Sequence, residues 1–565
     1  MILIENGLVV DGTGKPAFPA DVIVDGDRIA DVLPHSPEST LHPSPITLRP
    51  LPSSFDQTID ASGCLVTPGF IDAHSHSDTY LLIEPDAPSK LSQGVTTEIN
   101  GQCGGSCAPR YGAARLSSDW ASMTYPSLAH APIQTIEQSK QSEQSNNVQV
   151  GPTWRSLAEY RALFDQVRPA INTIQFIGHN TLRSSVIGYD ALKATPETQR
   201  EMERLLAREL DDGGWGLTTG LIYQPGKYSD AAEVTALAKV AAARGGYYAT
   251  HMRSEGDAIL EAIDEVLDLV RATGIRAEIS HLKTSGKRNW GKIDAVLEKM
   301  QGAIDEGLLL GSDRYPYCAA GTDLDVVFPD WAGVGGVVEE VKRLKDEKVK
   351  RRIVDEINAQ DRDWSTVMIG GTWSDATRPF SGRTVAAILE EADALWKSPG
   401  ELVCAILARD ACRTGAFFFG MSEDNLQKIY EHPWIVPGSD ASLRAPWGPL
   451  GKDHPHPRAY GTMPRCYRLL TGRVEGHARI CSREEAIARM TSVPAARFGI
   501  TGRGVLRVGN FADIAVWREE DFRETATYTV SHAFSAGMEA VLVNGCPSYL
   551  KGAFTHNRAG RFLVR

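Results

Sequence analysis

The chain has 565 residues, 42% hydrophobic and 23% charged, the composition of an ordinary folded globular protein. Its net charge is −12 and no stretch concentrates Lys and Arg into a phosphate-binding stripe, which argues against nucleic acid as a partner. Nine cysteines at scattered spacing make no disulfide framework, and no apolar run approaches the ~20 residues that span a bilayer. A reducing cytoplasm without membrane association is the expected setting. Oligomeric state leaves no trace in the sequence.

The N-terminus, Met1-Ile-Leu-Ile-Glu-Asn-Gly, lacks the basic and long apolar segments of a secretory leader and reads as a short strand before a turn. Runs at 3–10 and 21–24 are β-like, and so are 513–517 and 540–544, the last followed by the turn signal Asn544-Gly545. Two β-rich ends around a long middle predict one small β-sandwich built from 1–62 and 500–565. The middle, 63–499, alternates short apolar runs with helical stretches, the pattern of βα units. Eight candidate strands end near His76, Asn100, His179, Tyr223, His251, His281, Tyr315 and Asp440. One helical stretch, 257–272, carries Ile259, Ile263, Val266, Leu267 and Val270 at helical spacing. The expected fold is therefore α/β, a (β/α)8 TIM-like barrel. A polar, Ser- and Gln-rich stretch at 126–150 reads as a surface insertion, and 320–432 as a lid or specificity insertion between the seventh and eighth strands.

Chemically able residues gather where the strands stop. In Pro68-Gly-Phe-Ile-Asp-Ala-His-Ser-His-Ser77, positions i and i+2 of an extended segment face the same side, so His74 and His76 can point at one ion. His251 follows Gly246-Tyr-Tyr-Ala-Thr, His281 follows Arg276-Ala-Glu-Ile-Ser, and Asp440 follows Trp434-Ile-Val-Pro-Gly-Ser. Histidines and an aspartate on one barrel face read as a metal site.

Longer stretches add a resemblance. Thr250-His-Met-Arg-Ser-Glu-Gly-Asp257, Ile279-Ser-His-Leu-Lys-Thr-Ser-Gly286, Asp313-Arg-Tyr-Pro-Tyr317 and His454-Pro-His-Pro-Arg-Ala-Tyr-Gly-Thr-Met-Pro-Arg465 carry it, and Gly502-Arg-Gly-Val-Leu-Arg-Val-Gly-Asn-Phe-Ala-Asp-Ile-Ala515 closes it. In these segments the chain resembles the amidohydrolase superfamily, and within it the D-aminoacylase (N-acyl-D-amino-acid deacylase) family. The resemblance implies zinc, one or two ions, with Cys103 taking the place that a carbamylated lysine holds in ureases and hydantoinases. It implies a tight site of Cys103, His251 and His281 and a weaker one of His74, His76 and Asp440.

The activity so implied is hydrolysis of the linear amide of an N-acyl-D-amino acid or a related N-acyl substrate. Asp440 would serve as base and then acid. Arg458 matches the family residue that grips the substrate carboxylate, and Tyr315 a substrate-contacting tyrosine. His179 reads either as an oxyanion stabiliser or as a residue that orders its loop, and Lys283 as a supporting residue beside His281. The expected partner is a small molecule with an amide and a free carboxylate. Cyclic-amide opening or lyase and isomerase chemistry on the same site remain alternatives, as does a non-catalytic scaffold. One departure bears on recognition: the family's substrate-contacting serine falls on Gly321, and 440–451 is longer and more aromatic than the family's linker.

Overall fold

The computed structural model describes residues 1–35, 54–115, 154–391 and 395–565; the stretch 126–150 lies outside the described residues. The two β-rich ends meet. A nine-stranded sheet joins Ile2–Val9, Phe18–Asp25, Arg28–Pro34, Gln57–Asp60 and Leu65–Pro68 to Ile514–Trp517, Met538–Val543, Cys546–Leu550 and Ala553–Phe554. The seam is Leu65–Pro68, parallel to the first strand (Leu8 opposite Leu65) and antiparallel to Ile514–Trp517 (Val66 opposite Val516). Side chains alternate between faces along a strand. Ile514 and Val516 thus pack with Ile4, Val22, Ile59, Val66 and Leu542 inside the sandwich, while Ala515, Trp517, Val541 and Val543 join the larger core of the barrel. Burial on both faces is why these strands are nearly unbroken apolar runs.

Eight parallel strands follow among the described residues: β1 (Phe70–Asp72), β2 (Val95–Asn100), β3 (Asn172–Gln175, resuming as Ile177–Gly178), β4 (Gly216–Gly220), β5 (Tyr247–His251), β6 (Arg276–Ile279), β7 (Leu310–Arg314) and β8 (Ile435–Pro437). Each pairs in parallel with the next. At the break in β3 the Phe176 amide still donates to Asn100 at 3.0 Å, and the Trp215 amide to Gln175 at 2.9 Å. At the seam the Ala73 amide donates to the Pro437 carbonyl at 3.2 Å, and Ser75 bridges Ala441 in parallel. The sheet therefore closes into a (β/α)8 barrel. The helix expected at 257–272 runs Ile259–Thr273, buries all five residues picked out by their spacing, and ends on Gly274 at φ 65°.

Between β7 and β8 the chain leaves the barrel. Strands Ala319–Asp323, Val367–Ile369 and Gly415–Phe419 form an antiparallel sheet with Gly415–Phe419 in the middle. Helices pack on it around a separate core that includes Leu324, Ile353, Ile357, Leu402, Val403 and Leu407. Helix Glu423–Glu431 also falls within 320–432, yet its Leu426, Ile429 and Tyr430 pack in the barrel's core. Among the described residues no helix is long and apolar enough to cross a membrane.

Candidate metal centre

Six side chains converge beyond the carboxyl ends of the strands. His74 and His76 leave β1 with ring centroids 5.3 Å apart. His74 Nε2 lies 3.4 Å from Cys103 Sγ and 3.4 Å from Asp440 Oδ1, and His76 Nε2 lies 3.0 Å from the same carboxylate oxygen. Cys103 Sγ is 3.3 Å from His281 Nε2. The ligand atoms of His74, His76, Cys103 and Asp440 lie within 4.8 Å of one another, as do those of Cys103, His251 and His281. Cys103 belongs to both groups.

The backbone is bent to make this possible. Cys103 (φ 51°), His281 (φ 40°) and Asp440 (φ 49°) are all left-handed, a conformation that costs an L-residue about 1–2 kcal/mol. Glycine carries the tightest turn: a Cβ on Gly104, at φ 76°, would stand 2.6 Å from the Gly220 amide nitrogen and 2.6 Å from Asn180 Oδ1. Strain of this kind persists only where the surroundings impose it.

Acidic side chains hold the imidazoles from behind. Asp313, on β7, places Oδ2 3.1 Å from His74 Nδ1 and accepts the His281 amide on Oδ1 at 2.9 Å. Glu255 places Oε1 2.9 Å from His281 Nδ1 and Oε2 3.5 Å from His251 Nε2, and also binds Lys283 Nζ. Lys283 Nζ lies 2.8 Å from His281 Nδ1. Burial would raise the Cys103 thiol, but His74 and His281 hold it well below the usual range, which favours the thiolate. Asp440 follows the same logic: against burial, Arg458 and His281 keep its carboxyl well below the usual range. The same anions outweigh burial at the histidines, lifting His76 to about 9 and His281 to about 10.

The donor set fits a divalent ion. Thiolate, imidazole and carboxylate are the ligands of zinc, whose tetrahedral donors stand about 3.3–3.8 Å apart, and the 3.0–3.4 Å separations here are close to that. Both ring nitrogens of buried His251 lack a hydrogen-bond partner, as expected of a side chain placed to coordinate.

Arg458, the first residue of helix Arg458–Leu470, sets Nη1 2.8 Å from Asp440 Oδ2 and donates from Nη2 to the Gly321 carbonyl at 3.1 Å. Its Nε makes no hydrogen bond and Nη1 meets only the Asp440 carboxylate, and the buried Tyr315 hydroxyl has no hydrogen-bond partner. The Arg458 guanidinium lies 4.6 Å from the Tyr315 ring centroid. A Cβ on Gly321 would sit 3.4 Å from Arg458 Nη2, so a side chain at this position would face the guanidinium. His179 stands apart from this group. It opens helix His179–Val186, with Nε2 2.7 Å from Glu233, and the next two amides catch the Gly104 carbonyl behind Cys103.

Sequence reading missed Asp313 and Glu255 as site residues, and missed Tyr223, whose ring meets His251 edge-on at 4.8 Å. The signals were present: Asp313 has the inward parity of a strand that ends at a site, and Glu255 lies four residues beyond His251 in the loop that follows β5.

Barrel and donor set together define a hydrolase-type barrel with a candidate metal centre at its catalytic face. The family model described as Amidohydrolase family matches residues 57–302 and 424–549, leaving out the antiparallel insertion. An N-acyl-D-glutamate deacylase of Alcaligenes xylosoxydans xylosoxydans is 33% identical over 564 residues, covering 100% of this chain and 96% of its own. The crystal structure of N-acyl-D-glutamate deacylase from Bordetella bronchiseptica, complexed with zinc and a phosphonate mimic of the tetrahedral intermediate, superposes with TM-score 0.77 at 30% identity. It covers 100% of this chain and 99% of that one. A D-aminoacylase structure, described for the functional role of its binuclear metal centre, gives TM-score 0.76 at 29% identity, with 100% and 99% covered. The chain belongs to the amidohydrolase family, in its D-aminoacylase (N-acyl-D-amino-acid deacylase) branch.

Proposed function

We propose that the protein is a zinc-dependent deacylase of N-acyl-D-amino acids. The observation that carries this reading is the pairing of a cysteine-centred donor set with Arg458, a buried guanidinium ion-paired with Asp440 whose Nε is left without a hydrogen bond. Zinc is taken as the ion because the donors suit it and because the Bordetella relative is complexed with zinc. Cys103, His251 and His281 would hold the tighter ion and His74, His76 and Asp440 a second, with Cys103 between them. When bound, the metal supplies Lewis acidity, polarising the scissile carbonyl and lowering the pKa of water to about 7.

The chain's own groups do the rest. Asp440, ionised beside Arg458, accepts the proton of the attacking water and returns it to the departing amine nitrogen. The Arg458 guanidinium, through its free Nε, binds the substrate carboxylate, with the Tyr315 hydroxyl as a further donor and Lys283 adding positive charge. A guanidinium so placed favours an open-chain substrate with a free carboxylate over a cyclic amide. His179 we assign to ordering the Cys103 loop.

We also read 1–62 with 500–565 as one unit and 63–499 as the catalytic barrel, with 320–432, apart from helix Glu423–Glu431, as a specificity insertion that reaches Arg458 through Gly321. The nine unpaired cysteines suit the reducing cytoplasm.

The test is deacylation of matched N-acetyl-D- and N-acetyl-L-amino acids by zinc-loaded protein, with a Cys103→Ala control. Free amino acid released from the D-series, abolished in the control, is the expected result. A zinc-loaded protein inert on both series would refute the substrate assignment.

A further inference from the structure

Lys90 is a lysine that water does not reach. It sits in the short helix Pro88–Leu91 with its side chain 1% exposed, facing Asp72 (1%) and Glu98 (0%). A lysine is buried this completely only when its charge is paired and its three N–H groups are satisfied. Its Nζ lies 2.7 Å from Asp72 Oδ2, 3.0 Å from Ser75 Oγ, 3.2 Å from Ser439 Oγ, 3.2 Å from the Ala441 carbonyl and 3.4 Å from Glu98 Oε2.

The addresses of those contacts matter more than their number. Ser75 lies between His74 and His76, and Ser439 and Ala441 lie on either side of Asp440. The two carboxylates reinforce the same places. Asp72 accepts the Ser439 amide at 2.8 Å and its hydroxyl at 2.6 Å, while Glu98 accepts from Ser75 Oγ at 2.8 Å and from Ser77 Oγ at 2.9 Å. Asp440 itself is left-handed at φ 49°, with its amide held by the His74 carbonyl at 2.8 Å. His281 and His251 are braced by Glu255 and Asp313, of which Asp313 also holds His74 Nδ1 at 3.1 Å.

We infer that Lys90 is a positioning residue: its ammonium clamps the His74–His76 segment to the Asp440 segment and so sets the base and one half of the metal centre, while the Cys103, His251 and His281 half stands without it. This rests on the functional reading above. Removing the clamp leaves two buried carboxylates uncompensated and frees Asp440 to relax from its strained conformation. Substrate-binding groups are untouched.

The experiment compares full-length wild type with Lys90→Met and with the milder Ser439→Ala, which removes one hydroxyl from the clamp and keeps the charges. Three readouts are taken: zinc retention against a chromophoric chelator, the thiolate-to-cobalt charge-transfer band of the cobalt-loaded protein, and kcat and KM on an N-acetyl-D-amino acid. Loss of an outer partner of a metal ligand typically costs about 10–100-fold in metal affinity or activity. The expected result for Lys90→Met is a fall of that size in kcat, KM within about twofold, more readily stripped zinc, and an intact thiolate band. Ser439→Ala should move the same way by less, and decides the matter if Lys90→Met does not fold. Wild-type kcat and zinc retention in both variants, or loss of the thiolate band together with kcat, would overturn the inference. Wild type that binds zinc but is inert on every N-acyl amino acid would overturn the functional reading alone, since the chelator comparison needs no substrate.

Discussion

At the scale of single residues, Asp440 and Arg458 work against each other's burial. A carboxylate out of water is costly unless paired, and Arg458 Nη1 at 2.8 Å keeps Asp440 ionised, as a base must be. The guanidinium in turn gives Nη2 to a backbone carbonyl, that of Gly321, and keeps Nε for a ligand. Position 321 therefore borders the guanidinium on the side of that carbonyl. A Cβ there meets Arg458 and His456 at 3.4–3.6 Å, ordinary contact, so Gly321→Ser should fold with stability within about 0.5 kcal/mol of wild type. The added hydroxyl would give the substrate carboxylate one more donor, a gain of about 1 kcal/mol. KM for N-acetyl-D-amino acids is expected to fall about fivefold at unchanged kcat. Steady-state kinetics on the variant check this, and an unchanged KM would mean the substrate carboxylate does not reach position 321.

Among the elements, strand ends and the turns that follow them do the placing. The H-x-H after β1 and His251 at the end of β5 could be found from the sequence because period-2 geometry and strand ends are written locally. Cys103 could not: it stands on a loop, three residues past β2, and only the resemblance singled it out. Asp313, Glu255 and Lys90 were invisible for another reason. A buried carboxylate or lysine looks like any exposed one until the chain brings its partner near, and those partners lie up to 351 residues away. The break in β3 at Phe176 and the return of helix Glu423–Glu431 to the barrel core are likewise matters of packing, not of local pattern. The Cys103 turn offers a sharp contrast between neighbours. Gly104→Ala would force a methyl against the Gly220 backbone at φ 76°, whereas a Cβ on Gly105 has its nearest neighbour at 3.9 Å. Thermal or chemical unfolding should show Gly104→Ala destabilised by about 1–3 kcal/mol with reduced zinc content. Gly105→Ala should stay near wild type, and equal behaviour of the two would show that the turn does not aim the thiol.

Over the whole molecule, the terminal sheet turns one face to its own core and the other to the core of the barrel. Ile514–Trp517 gives alternate side chains to the two cores, so its position cannot drift relative to the barrel without opening both. The termini were readable as one sheet because β-like runs stand at both ends of a long βα middle. That the second face belongs to the barrel was not, since a buried strand does not say what buries it.

The nine thiols are spread through all these layers, and one stands alone chemically. Burial raises the other eight, at 64, 107, 318, 404, 412, 466, 481 and 546, while Cys103 is held well below the thiol range. Only the thiolate is nucleophilic. Brief iodoacetamide treatment of chelator-stripped protein at neutral pH, mapped by mass spectrometry, is expected to carbamidomethylate Cys103 first, and prior zinc loading should protect it. Labelling spread over several cysteines would contradict this. Because Cys103 serves both donor groups, a single alkylation or oxidation to sulfenic acid would disable both at once. Keeping the centre metallated then doubles as protection of the most reactive sulfur in the chain.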